Sequence, residues 1–231
     1  MDLSIIIPCL NEENTIEVCV KNALRSLNSL GINGEVIVSD NGSNDNSRLL
    51  ANKAGAMVVI CNIKGYGAAI KEGLKHSTGK YVLIVDGDGS YDFSSIKDFW
   101  EKRNDDFDMI IGSRFKGIID NGAMPPLHRY FGTPLLTFIT NLLYSTKISD
   151  SQSGMRFFRK ESLDKIKLET TGMEFASELT IKIKLQKMKI IEIPIKFHKD
   201  GRINGKTHLN PWCDGFRHLF YMLKMRFTHL F

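Results

Sequence analysis

The segment 81–93, YVLIVDGDGSYDF, runs apolar from Tyr81 to Val85 and then breaks into Asp86, Asp88 and Asp92, with Gly87 and Gly89 between them. Two aspartates one residue apart at the end of a buried strand can bear on a single hard cation. The glycines let the backbone turn tightly and come close to a ligand. Mg2+ and Mn2+ take oxygen ligands and commonly share them with substrate phosphates. An ion held in that way stabilises a departing diphosphate. The plainer alternative is an Asp-Gly turn facing solvent.

Three further stretches carry chemistry of a compatible kind. In IIIPCLNEENTI (5–16), Pro8 closes a strand and Asn11-Glu12 open a helix, which a simple helix cap also explains. In VIVSDNGSNDNS (36–47), Asp40 ends a second strand and could accept from a nucleobase N–H, unless it only builds an Asx-rich turn. In KGYGAAIKEG (64–73), Gly65 and Gly67 precede or begin a helix, so backbone N–H groups can face a phosphate or a sugar.

The elements that would position these residues follow from periodicity. Short runs rich in Ile and Val at 3–8, 35–40, 56–61, 80–86 and 108–115 predict strands. Between them lie helical patterns at 12–30, 46–54, 65–77 and 94–104. Strands apolar on both faces and alternating with helices predict an α/β fold with a mainly parallel sheet covered on both sides. Ligands of such sheets bind at the carboxyl ends of the strands, where Pro8, Asp40, Asp86 and Arg114 all fall. Beyond residue 116 the alternation stops: a loop over 117–126, an apolar helix over 127–145, and a segment 149–160 leading into a strand. A helix over 173–188, an alternating strand over 189–198, a basic glycine-containing loop over 199–208 and a helical tail from Pro211 complete the chain. No internal repeat, low-complexity tract or linker divides it.

The 231 residues suffice for one large domain with a full core, and 42% apolar residues is ordinary for a soluble fold. The net charge of +5 is concentrated in the last fifty residues, which points to an anionic partner such as phosphate, nucleic acid or a membrane surface. Cys9, Cys19, Cys61 and Cys213 form no CxxC pair, which suits reduced thiols in a cytoplasmic setting better than disulfides or zinc. The chain enters a strand directly, so no signal peptide is expected, and no stretch reaches the ~18–20 apolar residues of a spanning helix. In the tail, Trp212, Phe216, Leu219, Phe220, Leu223, Phe227 and Leu230 form one apolar stripe flanked by Arg217, Lys224 and Arg226. That pattern suits a helix lying in a membrane interface, or else one packed on the core.

Taken together and in this order, the four motifs resemble family 2 glycosyltransferases of the GT-A fold. The resemblance continues through GSRF (112–115), 124–144, SDSQSGMRFFRK (149–160), GMEFASEL (172–179) and 200–223 to the polyprenyl-phosphate hexosyltransferases, with the glucosyl branch the nearer. It implies a GT-A catalytic domain over 1–210, with a nucleotide-sugar half (1–115) and an acceptor half (116–210), and an amphipathic helix over 211–231. It implies that Pro8, Leu10, Glu12, Asp40, Gly65, Asp86, Gly87 and Asp88 bind the nucleotide sugar, and that Asp86 and Asp88 hold Mn2+ or Mg2+. It further implies that Arg114, Arg129, Thr133, Arg202 and Lys206 meet phosphate groups, and that Asp150 is a base or organises an arginine beside Asp88 and Arg114. One departure is Asn41, where the family often carries a second aspartate. The expected reaction is inverting transfer of a hexose from a nucleotide diphosphate sugar to a polyprenyl phosphate. The donor expected is UDP-glucose, with GDP-mannose as the alternative. The expected setting is the cytoplasmic face of a membrane, with no nucleic-acid partner and the oligomeric state left open. The rival readings are a family 2 enzyme with a soluble or polysaccharide acceptor, and a non-catalytic nucleotide-sugar- or membrane-binding protein.

Overall fold

The structure is a computed structural model that describes residues 1–202 and 211–228, with the side chains of Pro211 and Trp212 left aside. The first strand, β1 (Leu3–Cys9), is buried along its whole length. Its alternate side chains serve two different cores: Ile5 and Ile7 point to one side of the sheet, Ile6 to the other. This is the period of two expected of a strand covered on both faces. Helix α1 (Ile16–Ser29) packs on the first side through Ile16, Cys19, Val20, Ala23 and Leu27, a spacing of three and four that makes one apolar stripe.

The chain then lays down β2 (Gly34–Asp40), α2 (Ser47–Lys53), β3 (Met57–Ile60), α3 (Tyr66–His76) and β4 (Tyr81–Ile84). β1 pairs in parallel with β2 and with β4, and β2 with β3. Gly65, which caps α3, has φ of +128° and sits where a Cβ would come 2.1 Å from the Thr171 carbonyl oxygen, so only glycine fits.

After α4 (Ile96–Glu101) and β5 (Met109–Ile119), a π-helical turn (His128–Gly132) leads into α5 (Thr133–Tyr144). β6 (Arg156–Arg159), α6 (Lys160–Leu163), α7 (Phe175–Leu185), β7 (Ile190–Phe197) and α8 (Pro211–Thr228) follow. The seven strands form one sheet in the order β3-β2-β1-β4-β6-β5-β7. β6 lies antiparallel between β4 and β5, and β7 is parallel to β5. Strands from both halves of the chain therefore share one sheet.

Two expectations need correction. Residues 117–119 belong to β5 rather than to a loop: the strand resumes after an irregularity between Ser113 and Ile118, pairing Ile118 with Lys196 and Ile119 with Phe197. The fourth strand is shorter than 80–86. It ends at Ile84, and Val85 N–H still donates to Ile6 O at 3.0 Å, which leaves Asp86 just past the ladder.

A third cluster joins α5, α7 and α8 through Tyr144, Ile181, Tyr221, Met222 and Met225. The face of α8 turned inward is thus His218, Tyr221, Met222 and Met225. The aromatic stripe read from the sequence lies outward: Phe216 is 67% exposed, Phe220 71% and Phe227 62%. On α5, Phe138 and Leu142 are also exposed, as are Tyr130 and Phe131 in the preceding turn. Among the described residues no helix is long and apolar enough to cross a membrane.

Candidate active site

The carboxyl ends of β1, β2 and β4 and the start of α3 surround a cleft of about 540 Å3. Pro8, Leu10 and Glu12 line it from the β1–α1 loop, Gly65 from α3, and Asp86, Gly87 and Asp88 from beyond β4. The β1–α1 loop is braced against the β2 turn. Asn11, at φ of +54°, donates its N–H to Ser43 Oγ (2.9 Å) and accepts from Asn44 N–H (2.9 Å), while Glu12 N–H donates to Ser47 Oγ (2.8 Å). Asparagine tolerates the left-handed region better than most residues.

Asp40 behaves differently from its neighbours. Its side chain is fully buried and accepts from Gly42 N–H, Ser43 N–H and Arg48 Nε (2.6 Å), and it does not line the cleft. Asn41 lines it instead. The Asn41 amide donates to Ile63 O (2.7 Å) and Cys61 O (3.4 Å) and accepts from Gly65 N–H (2.7 Å), so it cross-braces the 61–65 loop. An aspartate could not donate to those carbonyls.

Three carboxylates converge at one end of the cleft. Asp86 accepts from the Tyr66 hydroxyl at 2.8 Å. Asp88 Oδ1 accepts from Ser90 N–H (3.0 Å) and Ser90 Oγ (2.5 Å), leaving Oδ2 toward Arg202 at 3.5 Å. Arg202 also reaches Glu12 at 3.4 Å and pairs closely with Asp200. Burial, and then the neighbouring Asp88 charge, push the Asp86 carboxyl up to about 6. Burial also pushes Glu12 up to about 7, with Arg202 opposing and Asp88 adding to the shift. Crowded carboxylates of this kind are relieved by a cation.

The donor set fits a hard divalent ion. Among the described residues no three His, Cys, Asp or Glu side chains are placed to hold a metal by themselves. An ion on Asp86 and Asp88 would therefore complete its shell from water and substrate phosphate, as Mg2+ commonly does.

A second cavity of about 140 Å3 shares Asp86, Asp88, Tyr66 and Met173 with the cleft and is lined further in by Tyr91, Arg114, Gln152 and Arg156. Arg114 is held there by Asp150. Its Nε donates to Oδ2 (2.7 Å), its Nη2 to Oδ1 (2.8 Å) and its backbone N–H to Oδ2 (3.1 Å). The guanidinium also lies 5.2 Å from the centre of the Phe197 ring. Asp150 is fully buried and accepts from Gln152 N–H as well, so its carboxylate is occupied by protein donors. Arg156 is buried too and gives its N–H groups to Ser151 O, Ser153 O and Ala176 O.

Of the remaining phosphate-binding candidates, Arg202 lines the cleft. Arg129 lies over the Tyr130 ring at 5.6 Å and Thr133 is buried at the start of α5; neither lines the two cavities. Lys206 is outside the described residues, as are Leu230 and the Trp212 side chain. Sequence reasoning missed Tyr66 and Arg156, and it read Asn41 only as a departure. The adjacency of Tyr66 to Gly65 was the available signal.

The chain is 38% identical over 222 residues to the low-salt glycan biosynthesis hexosyltransferase Agl6 of Haloferax volcanii, covering 96% of this chain and 53% of Agl6. It thus spans about half the length of that relative. It is 29% identical over 217 residues to a dolichyl-phosphate hexose transferase of the same organism, covering 93% of this chain and 89% of the relative. In fold it resembles glucosyl-3-phosphoglycerate synthase from Mycobacterium tuberculosis, crystallised with Mn2+, uridine diphosphate and phosphoglyceric acid. The TM-score is 0.72 at 21% identity, over 97% of this chain and 78% of that one. The sheet with its carboxyl-end cleft is thus a GT-A fold, and with the model of the glycosyl transferase family 2 matching residues 4–167, the chain belongs to that family.

Proposed function

We propose that the chain transfers a hexose, glucose in the first instance, from a nucleoside diphosphate sugar to a polyprenyl phosphate at a membrane surface, with inversion at the anomeric carbon. One observation carries the reading: Asp86 and Asp88 border both the large cleft and the small arginine-lined cavity. A diphosphate in the cleft and an acceptor phosphate near Arg114 would then meet at these two carboxylates.

The nucleoside end of the donor lies by Pro8, Leu10 and Asn41, and its diphosphate by Gly65, Asp86 and Asp88. Asp86 and Asp88 would hold Mn2+ or Mg2+, which when bound would supply charge stabilisation to the leaving diphosphate. Arg202, paired with Glu12 and Asp88 here, is within reach to turn its guanidinium onto the same phosphates. Arg114 binds the acceptor phosphate, and Asp150 keeps its planar fork aimed. A phosphate monoester loses its second proton near pH ~6 and is mostly a dianion at neutral pH, so its oxygen attacks without a base. We assign Asp150 the role of arginine organiser, because its carboxylate is buried and occupied.

The membrane part of the reading rests on the exposed aromatic side chains of α8, α5 and the turn before α5, together with the basic residues Arg217, Lys224 and Arg226. A large outward apolar face beside cationic groups suits an interface with anionic headgroups.

The test is a matrix of UDP- and GDP-hexoses against polyprenyl phosphates and soluble phosphorylated acceptors, with Mn2+ or with chelator, scored for glycosylated product. Metal-dependent hexosyl polyprenyl phosphate is the expected product. Product on the soluble acceptors alone would replace the lipid reading, and no nucleotide release from any pair would refute transfer altogether.

A further inference from the structure

Tyr66 sits inside the KGYGAAIKEG motif, where only the glycines point to a ligand by type and spacing, yet it touches the carboxylate at the centre of the site. We infer that Tyr66 is a positioning residue for Asp86, delivered to it by a loop that Asn41 shapes. The inference rests on the donor reading above, in which Asp86 takes the divalent ion.

The Asp86 carboxylate is held from two sides. The Tyr66 hydroxyl donates to Oδ1 at 2.8 Å. Oδ2 lies against the bare backbone of Gly154, where a Cβ would come within 2.1 Å. Gly154 is itself tied down, because its N–H donates to the buried Tyr91 hydroxyl at 2.6 Å. A donor on one oxygen and a close backbone beside the other restrict how far the side chain can turn. Each carboxylate oxygen can accept about two hydrogen bonds, so the Tyr66 contact leaves lone pairs for an ion.

Tyr66 is in turn fixed at its own end. It is the first residue of α3, and the preceding Gly65 donates its N–H to Asn41 Oδ1 at 2.7 Å. Asn41 Nδ2 donates to Ile63 O at 2.7 Å, which closes the loop on itself. On the far side, Gly67 N–H and Ala68 N–H donate to Gly172 O and Thr171 O. The chain of contacts Asn41, Gly65, Tyr66, Asp86 thus links the nucleoside end of the cleft to the metal end. It also gives a physical reason for asparagine at 41: an aspartate there would present a charge to the Ile63 carbonyl in place of a donor.

The experiment measures UDP and GDP binding calorimetrically, with and without Mn2+, for the wild-type chain, Tyr66→Phe and Asn41→Asp. Thermal unfolding without metal serves as the control for folding. Wild type should bind one nucleotide more tightly with Mn2+. In Tyr66→Phe the metal-free affinity should stay within about twofold, while the Mn2+ enhancement falls by about tenfold or more, the range seen when partners of metal ligands are removed. Asn41→Asp should move the enhancement the same way with the tyrosine still present. A purely structural role would lower both affinities together. A folded Tyr66→Phe with its full Mn2+ enhancement overturns the role of Tyr66 while leaving the donor reading intact. An intact enhancement in Asn41→Asp overturns the part given to the loop. No enhancement in wild type with either nucleotide removes the donor reading, and the role of Tyr66 with it.

Discussion

Replacing Asp150 by Asn separates an organiser of Arg114 from a general base. In the native structure the carboxylate accepts three N–H groups from Arg114, at 2.7, 2.8 and 3.1 Å, and is fully buried. An Asn in the same rotamer keeps one acceptor and turns an NH2 group toward the guanidinium. The buried cation loses its counter-charge, and breaking such a pair from one side costs about 3–5 kcal/mol of stability. The cation–π contact with Phe197 remains and offsets only a small part of this. For activity, the loss is that of a well-aimed charged hydrogen bond to the acceptor, about 1.5–3 kcal/mol, or roughly 10- to 150-fold in kcat/KM. The deficit should fall mainly on the acceptor KM, with the donor KM unchanged. Initial rates over a range of polyprenyl phosphate concentrations, paired with urea unfolding, measure both quantities. An Asp150→Asn enzyme as stable as wild type, with kcat lowered as far as in Asp88→Asn and the acceptor KM unmoved, would refute the organiser and make Asp150 a base.

Two other predictions concern α8. His218 is buried, is hydrogen-bonded to Ser177 (2.7 Å), and is pushed down to about 4 by burial and then by Arg156. The unfolded chain takes up the proton more readily than the fold does, so stability is full above about pH 6.5 and is lost as pH falls toward 4. Between pH 7 and pH 5 the loss should be about 2 kcal/mol by urea unfolding, and His218→Asn should flatten that slope; an unchanged slope would exclude His218 as its source. The triple change Phe216→Ser, Phe220→Ser and Phe227→Ser removes side chains that are 62–71% exposed, so thermal unfolding should hardly move. Sedimentation with vesicles containing anionic lipid should fall by at least ~100-fold, since each phenylalanine is worth on the order of 1.5 kcal/mol or more when taken out of water. Vesicle binding equal to wild type would rule out this face as the membrane contact.

Much of this architecture was legible because the strands are covered on both sides. Ile5, Ile6 and Ile7 in succession, β-branched and in a run too short for a helix, read as a strand with a core on each face, and the motif residues then fall at strand ends by the rule for open sheets. Strand order was not legible, because periodicity does not say which neighbour a strand chooses. Nothing in RFFR predicts that β6 inserts antiparallel between β4 and β5. The end of β5 was hidden by Gly117 and the Asp120–Gly122 turn residues, which resemble a loop until β7 supplies a partner. On α8 the phenylalanines are the conspicuous residues, while the packed face uses a neutral histidine, a tyrosine and two methionines. Asp40 illustrates another limit: its position at a strand end was readable, but its capture by Arg48 and its own turn depends on side-chain geometry. Asn41 and Tyr66 were missed for the same reason, since their roles lie in contacts across the loop rather than in spacing.

The proposed transfer depends on a divalent ion shared between the two aspartates beyond β4 and the donor diphosphate. Anomalous scattering from crystals grown with Mn2+ and the preferred nucleotide sugar measures this directly. The expected result is one manganese peak within coordination distance of both Asp86 and Asp88 and of the diphosphate oxygens. A bound nucleotide sugar with manganese elsewhere or absent, and both carboxylates turned from the diphosphate, would contradict it.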